Sequence, residues 1–186
     1  VVPFRDVVAR LLKIDPWVQP RPTVVRAFEE HGFVLDQHSE EWERRLAVAG
    51  YSLLRLRARE LPGPMFVGDF PKSISPLAAE RSGDEFNEYP TADRGYGFLA
   101  GWRIFEVVEE DMHWHSLSTS FANQNAAGVS HLGDSRSVEL ESYLAHGAPA
   151  TSGLGFNINR FVGVISGSDR LEDITFFPLQ RGRMPR

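Results

Sequence analysis

The densest run of reactive side chains in the sequence is Glu109, Glu110, Asp111, His113 and His115. Residues i and i+2 of a β-strand project to one side, so a strand here would offer His113 and His115 to one metal ion and turn Trp114 away. A catalytic zinc or iron needs a third protein ligand and an open coordination position. His131, Asp69 and Glu88 are candidates for that third ligand, though no local spacing fixes any of them. The pattern predicts either metal-assisted hydrolysis or oxidation at His113 and His115, or two histidines on the solvated face of a hairpin. It names no other catalytic residue and no cofactor.

A second constellation is Arg55, then Ser118-Thr119-Ser120, then Glu139-Leu140-Glu141. This order resembles that of the ADP-ribosyltransferases. The resemblance implies that Arg55, on a strand, and the serine motif help to bind NAD, while Glu141 stabilises a developing ribosyl cation. The glutamates here fall in a run of helical period, whereas that family carries them on a loop before a strand. Ser130 beside His131 lacks the G-x-S-x-G spacing of a nucleophile elbow. Gly153-Leu154-Gly155 is expected to form a turn ahead of a strand, outside the helix-opening context in which backbone N–H groups cradle a phosphate.

The elements that would position these groups begin with a helix. Phe4, Val7, Val8, Leu11 and Leu12 recur at helical spacing behind Pro3, up to about Ile14. Residues 15–22 hold three prolines and read as a stiff connector, on which Trp17 is expected to be exposed. Thr23 and Ser39 are candidate N-caps of two further helices, ended by Gly32 and Gly50, with a brief strand over 33–35 between them. Beyond Gly50 the period changes to two. Leu54, Leu56 and Ala58 alternate with Arg55, Arg57 and Arg59 as in a half-buried strand, and 65–70 is another strand candidate. Residues 72–97 read as an irregular excursion with one short helix near 77–80. Hairpins are expected between 98–108 and 112–121 and between 156–165 and 174–179, with a polar loop at 123–133 and a helix around Val138 to Ala145. Together these predict a single α+β domain over 1–186, N-terminal helices packed on a mainly antiparallel sheet. The periodic core is Val7, Leu11, Phe28, Trp42, Leu46, Leu54, Leu56, Ile104, Leu144 and Val164.

Composition narrows the function classes. With no cysteine there is no disulfide, no thiolate metal site and no thiol nucleophile. A reducing cytoplasm is therefore the expected location, and no apolar run is long enough to suggest a membrane partner. A net charge of -5 argues against a broad phosphate-binding surface. A nucleic-acid partner is accordingly unexpected, and the arginines at 55–59 and 181–186 read as a solvated face and a terminal tail. With no complete catalytic set in view, the expectation is a small protein-binding domain of inhibitor or immunity type. The His113 and His115 enzyme and the ADP-ribosyltransferase are the alternatives.

Overall fold

A computed structural model describes residues 1–81, 89–126 and 134–178, and the side chains of 121–126, 134–138 and 141 fall outside that description. Among the described residues there are six helices and a mainly antiparallel mixed sheet, as the α+β expectation requires. The chain opens with β1 (Val2–Pro3) and runs directly into α1 (Phe4–Leu12), followed by α2 (Arg21–Glu29) and α3 (Trp42–Leu56). Then come β2 (Met65–Gly68), β3 (Phe70–Pro71), β4 (Thr91–Ala92), β5 (Arg94–Leu99) and β6 (Trp102–Glu109). The remaining elements are α4 (Trp114–Ala126), α5 (Asp134–Ala145), β7 (Ser152–Phe156) and α6 (Ile158–Ser166). The main sheet has the order β1-β2-β5-β6-β7, parallel only between β1 and β2, and β3 pairs with β4 separately.

The core lies between α1, α2, α3 and one face of the sheet. Phe4, Val8, Val24, Phe28, Leu53, Leu54 and Val67 have no measurable exposure, and Tyr96 and Phe98 of β5 close the cluster. A smaller cluster, Leu117 and Leu144 with Met112 and Ala148, joins α4 to α5. Among the described residues no helix is long and apolar enough to cross a membrane.

Several local expectations are corrected. Gly50 does not stop α3. It lies inside the helix, where a Cβ would come within 3.2 Å of Phe4 Cζ and Val8 Cγ2, so its smallness admits α1. The helix continues through the run read as a strand, which buries Leu54 and leaves Leu56 63% exposed. Residues 33–35 form no strand, and 72–97 already contains β4 and the start of β5, with 82–88 outside the described residues. The hairpin is β5 with β6, one element earlier than expected. Its two-residue loop, Ala100-Gly101, has φ of 49° and 79°, the doubly positive turn that matches strand twist. Residues 114–126 are helical, and 156–165 splits into the end of β7 and all of α6. Leu11, Trp17 and Val164 are half-buried; Trp17 packs edge-on against Phe4 at 5.9 Å between centroids.

Candidate functional site: an arginine-lined cleft

One irregularity in β6 builds the site. Gly97 pairs with Phe105, yet Phe98 pairs with Arg103, so Ile104 is an extra residue on β6. Residues three apart on a regular strand face opposite sides. A bulge restores the phase, and Arg103 and Glu106 share the face of Tyr96, their Nη1 and Oε2 atoms 3.9 Å apart.

Glu106 is already engaged. Its Oε1 accepts from Arg94 Nε at 2.8 Å and Nη2 at 2.5 Å. Arg103 donates from Nη1 to Tyr51 Oη at 2.9 Å, and its guanidinium lies 4.6 Å from the Tyr96 ring centre. Burial pushes the Tyr96 phenol well above its ordinary pKa, Tyr51 and Glu106 adding to this against the opposing pull of Arg94. Tyr96 is thus a neutral platform for two cations, with Arg94 at 5.1 Å on the same ring.

The facing wall is α6. Asn157 caps it, its side-chain oxygen accepting from Arg160 N at 2.9 Å. Arg160 Nη1 donates to the Arg103 carbonyl at 3.1 Å, while its Nε is buried with no partner. Burial, then the Arg103 and Arg55 guanidiniums, lower the pKa of Arg160. Among the described residues Arg55 and Arg160 have no carboxylate within 4.0 Å, whereas Arg103 faces Glu106 and Arg59 pairs with Asp169. Two adjoining clefts of about 230 Å³ each share Arg103 and Arg160. Glu106, Gly155 and Asn157 line the first; Arg55, Arg59 and Trp102 line the second. Gly155 leaves open space above the floor, since a Cβ there would meet nothing within 4 Å.

The residues singled out from sequence lie elsewhere. His113 precedes α4 and His115 is in its first turn, both exposed, with the Trp114 and His115 rings 3.5 Å apart. The strand that was to aim them at one ion is a helix start, and helical rotation separates i from i+2. Among the described residues no three His, Asp or Glu side chains are grouped to hold a metal. Asp69 pairs with Arg81 instead, and Glu88 and His131 lie outside the described residues. Arg55 is helical, Ser118-Thr119-Ser120 lies within α4 and Glu139 is exposed on α5, so the strand and loop of an ADP-ribosyltransferase are not what carries them. The side chains of Ser130 and Glu141 and the arginines of 181–186 lie outside the described residues. Gly153 and Gly155 are on β7, which leads straight into α6, the helix-opening context that had been denied to them. Arg94, Arg103, Glu106 and Arg160 were missed; Asn157 as an N-cap after a glycine-spaced strand was the available signal.

The mainly antiparallel sheet and α6 thus bring Arg55, Arg103 and Arg160 together in one cleft, with the Tyr96 ring beneath Arg103. Residues 20–181 match the family described as tRNA synthetases class II (D, K and N), and the chain belongs to that family. It is similar to the lysine–tRNA ligase of Baumannia cicadellinicola subsp. Homalodisca coagulata, 31% identical over 127 residues, or 66% of this chain and 24% of the relative. The lysine–tRNA ligase of Buchnera aphidicola subsp. Cinara cedri is 30% identical over 116 residues, 62% and 22% of the two chains. That of Yersinia enterocolitica is 30% identical over 122 residues, 63% and 23%. The chain therefore spans about a quarter of the length of these relatives.

Two expectations are overturned by this membership. The chain is not an inhibitor-type binding domain, and the argument against a nucleic-acid partner fails because the family is one of tRNA synthetases. The physical error lay in averaging: a total of -5 says nothing about one cleft where arginines converge.

Proposed function

We propose that this chain supplies part of the site of a cytoplasmic aminoacyl-tRNA ligase, the part that holds the anionic groups of its substrates. Joining a carboxylate to a tRNA hydroxyl expels water and is unfavourable in water, so the carboxylate must first displace pyrophosphate from ATP to form a mixed anhydride, whose phosphate ester then leaves as the hydroxyl attacks the carbonyl. Carboxylate, phosphate ester and tRNA backbone are all anions. Guanidiniums held in a low-dielectric cleft stabilise such charge with little reorganisation. The observation that carries this reading is Arg160, a half-buried guanidinium with an orphaned Nε, beside Arg55 and Arg103 at the N-terminus of α6. That terminus adds its own partial positive charge.

Calorimetric titration of the chain with ATP, with pyrophosphate and with tRNA tests the reading. Binding of ATP or pyrophosphate is expected, weakened at least about tenfold, or ~1.4 kcal/mol, by Arg160→Ala. Affinity unchanged by that substitution, or no binding of any of the three, overturns it.

A further inference from the structure

We propose that the sheet face turned away from α1, α2 and α3 carries a second binding site, for a small organic cation: a primary amine borne on a flat apolar ring. This site is separate from the arginine cleft and does not depend on the ligase reading.

Successive residues of a strand face opposite sides. Tyr96 and Phe98 of β5 point into the helical core, so Gly95 and Gly97 open on the other face. Rings lie flat over both glycines: a Cβ on Gly95 would collide with the Phe66 ring and one on Gly97 with the Phe105 ring. These two rings stack, 5.9 Å between centroids and 21° between planes. Val107 pairs with Gly95 and Leu154 pairs with Val107, which places both on the same face. Phe66, Val107 and Leu154 floor a cavity of about 590 Å³, large enough for a small ligand. Leu154 is 68% exposed, so this floor is wet as it stands. Covering it with an apolar ring removes that surface from water and adds a ring-to-ring contact with Phe66.

The rim sets the sign of the ligand's charge. Asp69, Asp93 and Glu109 line it. Arg81 is shared between Asp69 and Asp93, the latter at 3.7 Å, and Arg94 is committed to Glu106. Glu109 is exposed at the end of β6 and, among the described residues, has no cation within 4.0 Å. Counting the α-amino group of Val1, which also lines the cavity, still leaves three carboxylates facing two cations. An ammonium entering here gains a carboxylate partner and lies near the negative face of Phe66. A carboxylate in the same place would be repelled by Glu109, and an alkylamine without a ring would leave the floor in water.

Calorimetric titration of the full chain with tryptamine, indole-3-acetate and n-butylamine tests charge and ring separately. Tryptamine is expected to bind at least about tenfold more tightly than either of the others, ~1.4 kcal/mol. Glu109→Gln should weaken tryptamine at least about threefold. Glu109→Arg should reverse the preference in favour of indole-3-acetate, an outcome that simple loss of structure would not produce, and thermal melting of both variants shows whether the fold is kept. Indole-3-acetate or n-butylamine binding as tightly as tryptamine overturns the proposal. A tryptamine affinity untouched by Glu109→Gln does so too, because the amine would then sit elsewhere. So does the absence of tryptamine binding at roughly 10 mM, tenfold above a Kd of about 1 mM.

Discussion

Asp111 shows how a residue chosen for one purpose serves another. It sits in the acidic run that drew attention to His113 and His115, yet it is 6% exposed and structural. Its Oδ2 accepts from Ser116 Oγ at 2.5 Å and lies 3.3 Å from Lys72 Nζ, while Oδ1 accepts from His113 N at 3.1 Å. Lys72 also donates to the carbonyls of Pro76 and Ala78, so this knot ties the start of α4 to the segment after β3. Burial alone would raise the Asp111 pKa; the Ser116, His113 and Lys72 contacts outweigh it and hold the carboxyl below its ordinary 3.8. A depressed acid stabilises the fold above its unfolded pKa and loses that contribution as pH falls through the folded value. Urea melts should therefore show Asp111→Asn destabilised at pH 7, with the difference from the unmodified chain shrinking below about pH 4. Asp111→Ala, which leaves the half-buried Lys72 ammonium only its two carbonyl acceptors and removes the acceptor for Ser116, should cost about 1–3 kcal/mol at neutral pH. His113→Ala and His115→Ala, both on exposed rings, should stay within about 0.5 kcal/mol of the parent.

At the scale of elements, burial was legible wherever period and length agreed. Val7, Phe28, Trp42, Leu46 and Leu144 are buried as their helical spacing predicts. Leu46→Ala should cost about 2–5 kcal/mol in denaturant unfolding, the transfer loss plus an unfilled cavity. The failures share one cause: a short apolar run cannot show whether it is strand or helix. Arg55, Arg57 and Arg59 alternate with apolar residues, but α3 was already under way and Gly50, small to admit α1, hid its continuation. The β5 to β6 loop was missed because Ala100 is an unusual residue at positive φ. Gly101 in that loop is constrained twice: its φ is 79°, and a Cβ would lie 2.9 Å from the Arg59 Cα. Gly101→Ala is expected to cost at least about 1–2 kcal/mol, read as a lowered urea midpoint. The site was illegible for a related reason. No local pattern announces the extra residue Ile104, and without it Arg103 and Glu106 fall on opposite faces. Arg55, Arg103 and Arg160 are separated by tens of residues and meet only through sheet pairing and the docking of α6.

For the whole molecule, charge distribution outweighs charge total. If tRNA is held through the four arginines of the second cleft, the logarithm of its affinity should fall with the logarithm of salt at a slope of no more than about 3, taking ~0.7 per single-strand phosphate. A much steeper slope in filter-binding assays would mean that the anion path runs elsewhere. The two cores carry a last consequence. The helices α1, α2 and α3 with β2 and β5 share one large apolar cluster, whereas beyond β6, among the described side chains, those buried in the second cluster are Leu117 and Leu144. On β7 and α6, Leu154, Phe156, Ile158 and Ile165 are 49–68% exposed. Sparse burial means low opening free energy, so amide protons of β7 and α6 should exchange with deuterium well before those of α3 and β5. Arg103 stands on the slowly exchanging side of that seam and Arg160 on the fast one. An anion gripped by both would act as a clasp across it, slowing exchange in α6 by the factor 1 + [L]/Kd while leaving α3 almost untouched. The protection pattern would thus record occupancy of the cleft as a change in the local lifetime of one helix.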